Sequence, residues 1–323
     1  MASRNGSSSS SSAFMNLTSM SPEALFERLE RVLDHWSEDR RHLHGFGLLS
    51  SDVGDAARRG RLKQSRTVLV GKAVLSDAVE LSRGPLVLMK GMEIATLYPH
   101  ITERPFRDLD ILTTDTRVDW EALLERGFVR SPRSAELDHH HLPSLRDPSG
   151  IVGVEMHTRP NVPSWSHLST SLIVESAQPS RTGVAGLMRP RDDHHALLIA
   201  LHGWKSGFTR LRDLFDAILL ASISDHPVDV TAAEHGLLRF WKFTVRFAGQ
   251  ELLDEPSALG RITYRLAAGA APRGSGRRGR LVGPYLVTNP VKATNAHVQD
   301  YLLGRKARAL GLYEDRGRAV DRP

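Results

Sequence analysis

The sequence predicts an α+β fold, a small mixed β-sheet flanked by helices and followed by a helical bundle. Three observations carry this. Short apolar runs bounded by turn residues, Pro85-Leu86-Val87-Leu88-Met89 and Leu109-Ile111-Leu112, read as strands in the middle of the chain. Asp147-Pro148-Ser149-Gly150 is strong turn chemistry between His141–Leu145 and Ile151–His157, so those two runs predict a β-hairpin. On either side of this region the apolar residues recur at helical spacing instead.

In chain order, residues 1–20 are serine-rich and predict disorder. Ser21-Pro22-Glu23 then opens a helix with a cap, a proline suited to the first helical position and an acid, and Leu25, Leu29, Val32 and Trp36 follow on one face. A second helix is predicted over residues 62–82. After the first strand Lys90-Gly91 stops the run before a helix near 92–98, and residues 117–126 read as another short helix. From about residue 190 the pattern is helical again, with Leu211, Leu214, Phe215 and Ile218 at i, i+3, i+4 and i+7, and a buried helix near 235–253. The predicted domains are therefore a disordered 1–20, a sheet-bearing core with its N-terminal helices over 21–188, a helical domain over 189–268, and a basic Gly/Arg-rich linker with a C-terminal helix over 269–323.

Composition narrows the function. The absence of cysteine excludes disulfides, thiolate metal sites and a Cys nucleophile. No apolar run reaches the roughly 18 to 20 residues of a bilayer-spanning helix. The first residues lack a cationic flank followed by an apolar stretch, so a cytoplasmic protein is expected. The net charge of +6 resides in the tail, because residues 261–323 hold thirteen Lys/Arg against four Asp/Glu. Arg273, Arg277, Arg278 and Arg280 lie in a Gly-rich run that could hold an anion such as RNA, although no aromatic residue interleaves it to stack on bases.

The informative stretch is Arg104-Pro105-Phe106-Arg107-Asp108-Leu109-Asp110-Ile111-Leu112. Side chains alternate along a strand, so Asp108 and Asp110 share one face and Leu109 and Ile111 the other. Two carboxylates about 7 Å apart on one strand repel each other, and a divalent cation removes the repulsion. Glu155, between Val154 and Met156, has the setting of a third oxygen ligand on an adjacent strand, and its seat depends on the hairpin register. His157 shares the face of Glu155 and is placed to bond a carboxylate or an acceptor. His139-His140-His141 alternate faces and read as a strand edge, with His141 on the side of the site. On this reading only carboxylates align as ligands.

The order of Leu88-Met89-Lys90-Gly91, the Arg104–Leu112 stretch and Val154-Glu155-Met156-His157 resembles the bacterial, formerly uncharacterised, nucleotidyltransferase family of the polymerase-beta-like superfamily. A looser match covers His194–Trp204 and Arg210–Asp216, and the whole spans roughly residues 60–225. The resemblance implies a nucleotidyltransferase core that moves a nucleoside monophosphate, AMP first among the candidates, from an NTP such as ATP to a hydroxyl or phosphate. It implies two Mg²⁺ or Mn²⁺ ions held by Asp108, Asp110 and Glu155, the last also helping to deprotonate the acceptor. Where the superfamily usually carries Gly-Ser or Gly-Gly, this chain has Lys90-Gly91, so Lys90 is expected to supply the phosphate contact as a charge, with Gly91 and the following helix start behind it. Arg104 and Arg107 are candidate phosphate clamps or partners of the aspartates. His202, Lys205 and Arg210 are candidates for closing over the triphosphate, and Arg212 with Asp216 reads as a surface ion pair. The acceptor is open among a small metabolite, a peptide or protein, and an RNA end. Two other classes remain beside the transferase, a catalytically inactive nucleotide-binding protein of this fold and a metal-dependent phosphohydrolase.

Overall fold

A computed structural model describes residues 17–34, 41, 45–46, 52, 54–131, 140–160, 168–205 and 210–252. Most of the serine-rich start, His139 and the whole basic tail lie outside the described residues. The chain divides into two compact units. Of the described residues, one unit contains 52–190 and the other joins those before 50 to 191–252.

The first unit is built on a seven-stranded mixed sheet. In chain order its strands are β1 Leu86–Leu88, β2 Asp108–Leu112, β3 Val129–Arg130, β4 Leu145–Arg146, β5 Gly153–His157, β6 Gln178–Pro179 and β7 Leu187–Arg189, and across the sheet they run β3-β4-β5-β2-β1-β7-β6. Strands β2 and β5 are parallel neighbours in the middle, β1 lies antiparallel to β2, and β7 lies parallel to β1. Parallel neighbours need a long crossover, which the residues between β2 and β5 supply. The predicted hairpin is formed by β4 and β5. Asp147 makes its turn, its carboxylate accepting from the backbone of Ser149 at 2.8 Å and of Val152 at 2.6 Å, while Gly150 takes a positive φ of 71°. His141 reaches this sheet only through an isolated bridge to His157.

One face of the sheet makes the core. Leu86 and Leu88 of β1, Leu109 and Ile111 of β2 and Val154 and Met156 of β5 bury there against Val68, Val74, Leu75 and Ala78 of helix α2 and Trp120 and Leu123 of helix α4. Among the described residues the helices in chain order are α1 Pro22–Leu33, α2 Asp55–Leu81, α3 Met92–Ala95, α4 Thr116–Glu125, α5 Thr170–Glu175, α6 Asp192–Lys205, α7 Leu211–Ser222, α8 Val228–Glu234 and α9 Leu238–Leu252. Helix α2 begins seven residues before the predicted start. Its first two turns are rich in Ala and Arg, strong helix formers that carry no apolar period to reveal them. Strands β6 and β7 and helix α5 were not expected, since segments of two, three and six residues are too short for a periodicity to show.

The second unit is helical. Helix α6 buries every residue from Ala196 to Leu201, and Phe215 of α7 and Trp241 of α9 are fully enclosed. Helix α1 starts as its sequence predicts, with Ser21 Oγ accepting from the backbone of Ala24 at 3.3 Å. It belongs to this unit, where Phe26 meets Phe215 edge-on at 5.1 Å, whereas the sequence grouped it with the sheet. The expected Arg212–Asp216 surface pair is corrected on one point. Asp216 is wholly buried, and Arg212 donates to the carbonyl of Gly45 at 2.9 Å.

Candidate metal and nucleotide site

The face of the sheet opposite the core carries the charged cluster. Parallel pairing sets Asp108 against Gly153, Asp110 against Glu155 and Leu112 against His157. Because side chains alternate on each strand, Asp108, Asp110, Glu155 and His157 all lie on this face. The same register sends Leu109, Ile111, Val154 and Met156 to the core. A slip of one residue would exchange the two sets, so core burial itself holds the acids in place.

Within the cluster, Asp110 is 3% exposed and its Oδ1 is the focus. His157 Nε2 lies 3.0 Å from that oxygen and 3.9 Å from Glu155 Oε2. Lys90 Nζ lies 2.5 Å from the same Oδ1. His141 approaches from the sheet edge, its Nε2 4.0 Å from Glu155 Oε2. The Nδ1–H of His141 donates to the Leu142 carbonyl at 2.7 Å, which leaves its Nε2 facing Glu155. Ligand atoms of Asp110, Glu155 and His157 lie within 4.8 Å of one another, close enough to share a cation. The expectation that only carboxylates align is thus corrected, since an imidazole stands among them. The Glu-x-His spacing already put both on one face; what no local pattern revealed is that the parallel register carries His157 to Asp110.

Electrostatics follow the geometry. Burial alone would raise the Asp110 pKa, but Lys90 and His157 outweigh it and hold the carboxyl well below the ordinary aspartate range. Glu155 has no such partner. Burial, then the charge of Asp110, pushes its pKa up to about 7 despite His141 and Lys90. Burial also lowers His157 to about 3, so the ring is neutral, and its Nε2–H donates to Asp110 in the metal-free chain. Burial opposes the charge on Lys90, yet Asp110, Glu155 and Asp108 together keep its pKa above the ordinary lysine value. The cluster therefore sets three acids against one fixed cation. That surplus of negative charge, with oxygen and imidazole donors in reach of one point, fits a divalent metal. Asp108 is exposed at the open end of β2 and stands outside the tight group of three, although its charge acts on Lys90 and Glu155.

The loop ahead of helix α3 holds Lys90 over this group. Gly91 adopts φ 63° and ψ −116°, and a Cβ there would fall 2.5 Å from the carbonyl oxygen of Asp108. Only glycine lets this loop lie against β2. The close approach that Gly91 makes possible is thus to the Asp108 backbone. Arg104, 4% exposed, donates to the Gly91 carbonyl at 3.0 Å and so braces the loop from below. Arg107 is exposed, and its carbonyl accepts from Gly153 at 2.8 Å, tying β2 to β5.

Helix α3 has only four residues, so it brings little of the macrodipole expected behind Gly91. Its first turn also holds Glu93, fully buried, which accepts from Ser180 Oγ at 2.5 Å and the Arg181 backbone at 3.2 Å. Burial raises the Glu93 pKa, while these bonds and Arg181 and Arg189 work against it. This anchor fixes α3 to the β6–β7 hairpin, and sequence reading missed it because its partners lie almost ninety positions away. His202, Lys205 and Arg210 belong to the helical unit: His202 is half-buried on α6, Lys205 lies at its end, and Arg210 is exposed just before α7.

An uncharacterised nucleotidyltransferase family matches residues 63–252, which span the sheet, its charged face and the later helices. That is more than half of the chain. The chain belongs to this family. Membership makes it a nucleotidyltransferase in the general sense and bears out the resemblance drawn from the Lys90-Gly91, Asp108–Asp110 and Glu155–His157 segments. No curated protein and no solved structure matches the chain. Among the described residues no helix is long and apolar enough to cross a membrane.

Proposed function

We propose that the chain transfers a nucleoside monophosphate, AMP first among the candidates, from an NTP to a hydroxyl or phosphate of an acceptor. The observation that carries this reading is the β2–β5 register, which sets Asp110 beside Glu155 on the face opposite the core. Asp110, Glu155 and His157 would hold a Mg²⁺ or Mn²⁺ ion, and Asp108 with Asp110 a second one arriving with the triphosphate. Such ions supply charge neutralisation of the phosphates and a more acidic acceptor. In the reaction the acceptor oxygen bonds to the α-phosphorus, the bond from that phosphorus to the bridging β-oxygen breaks, and pyrophosphate leaves. Glu155, deprotonated once the ion is bound, helps take the proton of an acceptor hydroxyl. Lys90 and Arg107 are proposed nucleotide contacts, while Arg104 and Gly91 position the loop that carries Lys90. ATP as donor and a cytoplasmic location belong to the same proposal. The acceptor is a small metabolite, a peptide or protein, or an RNA end, with the basic tail as the feature favouring an anionic one.

A second reading, a metal-dependent phosphohydrolase, is favoured by the imidazoles of His157 and His141 beside the carboxylates. One assay separates the two. The protein is incubated with each α-labelled NTP, Mn²⁺ and cell extract, scoring label on an acceptor against release of orthophosphate. The transferase reading expects label transfer with pyrophosphate release, lost in Asp110→Ala. Orthophosphate without label transfer would establish the second reading in its place. Undiminished transfer by Asp110→Ala would remove the metal-site assignment.

A further inference from the structure

Lys90 was expected to face phosphate, and the structure puts its ammonium on Asp110 instead. Oxygen Oδ1 of Asp110 has two lone pairs, and two groups are already on it, His157 Nε2 at 3.0 Å and Lys90 Nζ at 2.5 Å. A divalent ion binds a carboxylate oxygen at about 2.0 to 2.2 Å. An ammonium at hydrogen-bond distance from the same atom fills the space that ion would need and repels its charge. The loop holds the lysine there on purpose-built supports, since Gly91 lies against the Asp108 carbonyl and Arg104 ties the Gly91 carbonyl.

We infer that Lys90 is a built-in cation that occupies the metal's place on Asp110, so that loading the site requires Lys90 to be displaced. This rests on the metal-dependent reading above and adds to it an exchange of one cation for another. In the metal-free chain Lys90 offsets part of the repulsion among Asp108, Asp110 and Glu155, which keeps the face folded. On loading, the ion takes over that task and the lysine side chain is released beside Gly91, where it can meet an incoming triphosphate. A nucleotide that receives the released ammonium strengthens metal binding, and the metal strengthens nucleotide binding by the same factor.

The test uses the full chain without nucleotide. Mn²⁺ affinity is measured by calorimetry for wild type and Lys90→Met, and binding should tighten by about tenfold or more once no ion pair has to be broken. Equal or weaker binding in the variant overturns the inference while leaving the metal site standing. Absence of Mn²⁺ binding in both proteins overturns the metal reading and this inference together. Lys90→Met could also fail to fold for want of its counter-charge, so a wild-type readout stands beside it. A short pulse of an amine-acetylating reagent, read by mass spectrometry, should label Lys90 several-fold more with saturating Mn²⁺ than without. Labelling of Lys90 that Mn²⁺ leaves unchanged or lowers overturns the displacement.

Discussion

Asp193 and Asp110 are both buried with basic partners, and their charges are met differently. Asp193, fully enclosed in the helical unit, receives both arms of Arg191 at 2.6 Å and the hydroxyl of Thr231 at 2.6 Å. Although burial opposes it, those bonds hold its pKa to about 2. One carboxylate meets one guanidinium, and the neighbouring His194 is kept neutral, its pKa lowered to about 4, first by burial. Asp110 on the sheet also has a cation, Lys90, but it shares that cation with Asp108 and Glu155. The charge at Asp193 is closed, whereas the charge at Asp110 is left in surplus. A closed pair holds a fold together, and a surplus calls for something the chain does not itself supply.

The largest predicted difference lies in what removing each carboxylate does. Asp110→Asn should abolish transfer, by about a thousandfold or more, and also cost some stability, because the folded chain holds that carboxylate ionised against Lys90 and His157. Asp193→Asn should instead cost about 2 kcal/mol of folding stability, because the buried position loses the carboxylate that Arg191 and Thr231 bond, and should leave turnover per folded molecule intact. Steady-state rates and urea melts on both variants check this. If Asp193→Asn loses turnover as Asp110→Asn does, the two sites are not distinct in kind. Next in size is Gly91→Ala. The added Cβ meets the Asp108 carbonyl, so the variant should lose about 2 kcal/mol or more and, where still folded, most of its activity. A fully active, fully stable Gly91→Ala would show that the loop need not lie against β2.

These contrasts also mark what the sequence made legible. Asp108 and Asp110 could be paired from the strand period alone, and the β4–β5 turn from Asp147-Pro148-Ser149-Gly150, because both are local properties. The core face of β2 followed from Leu109 and Ile111 for the same reason. The seat of His157 was only half legible, since its face followed from the period but its contact with Asp110 needs the β2–β5 register, set over forty intervening residues. Lys90 was read for its charge and its place after an apolar strand, yet its partner is decided by the backbone of β1 against β2, where the Met89 amide donates to the Asp110 carbonyl at 2.9 Å. Glu93 and the Arg191–Asp193–Thr231 group were not foreseen, because nothing local distinguishes a buried acid from a solvated one at a helix start.

Smaller effects should appear on changing pH, again with different origins in the two regions. In the helical unit, unfolded His194 takes a proton near pH 6.5 while the folded ring resists until about 4. Stability from this group is therefore present above 6.5 and lost as pH falls toward 4, by roughly 2 kcal/mol. His194→Gln should flatten that part of the melting curve, and an unaltered slope would mean the ring is not buried neutral. On the sheet the acid Glu155 titrates near 7. Its folded pKa is raised, so its proton must leave before a cation binds, and Mn²⁺ affinity should climb through pH 6 to 8 in wild type. Glu155→Gln should bind more weakly and lose that climb. A pH-independent affinity in wild type would place the titrating group elsewhere.

The central claim, that surplus charge marks the metal seat, is tested most directly by calorimetric titration of Mn²⁺ into wild type, Asp110→Asn and Asp193→Asn under one set of conditions. The account predicts binding to wild type and to Asp193→Asn and none to Asp110→Asn. Equal binding by Asp110→Asn and wild type would contradict it.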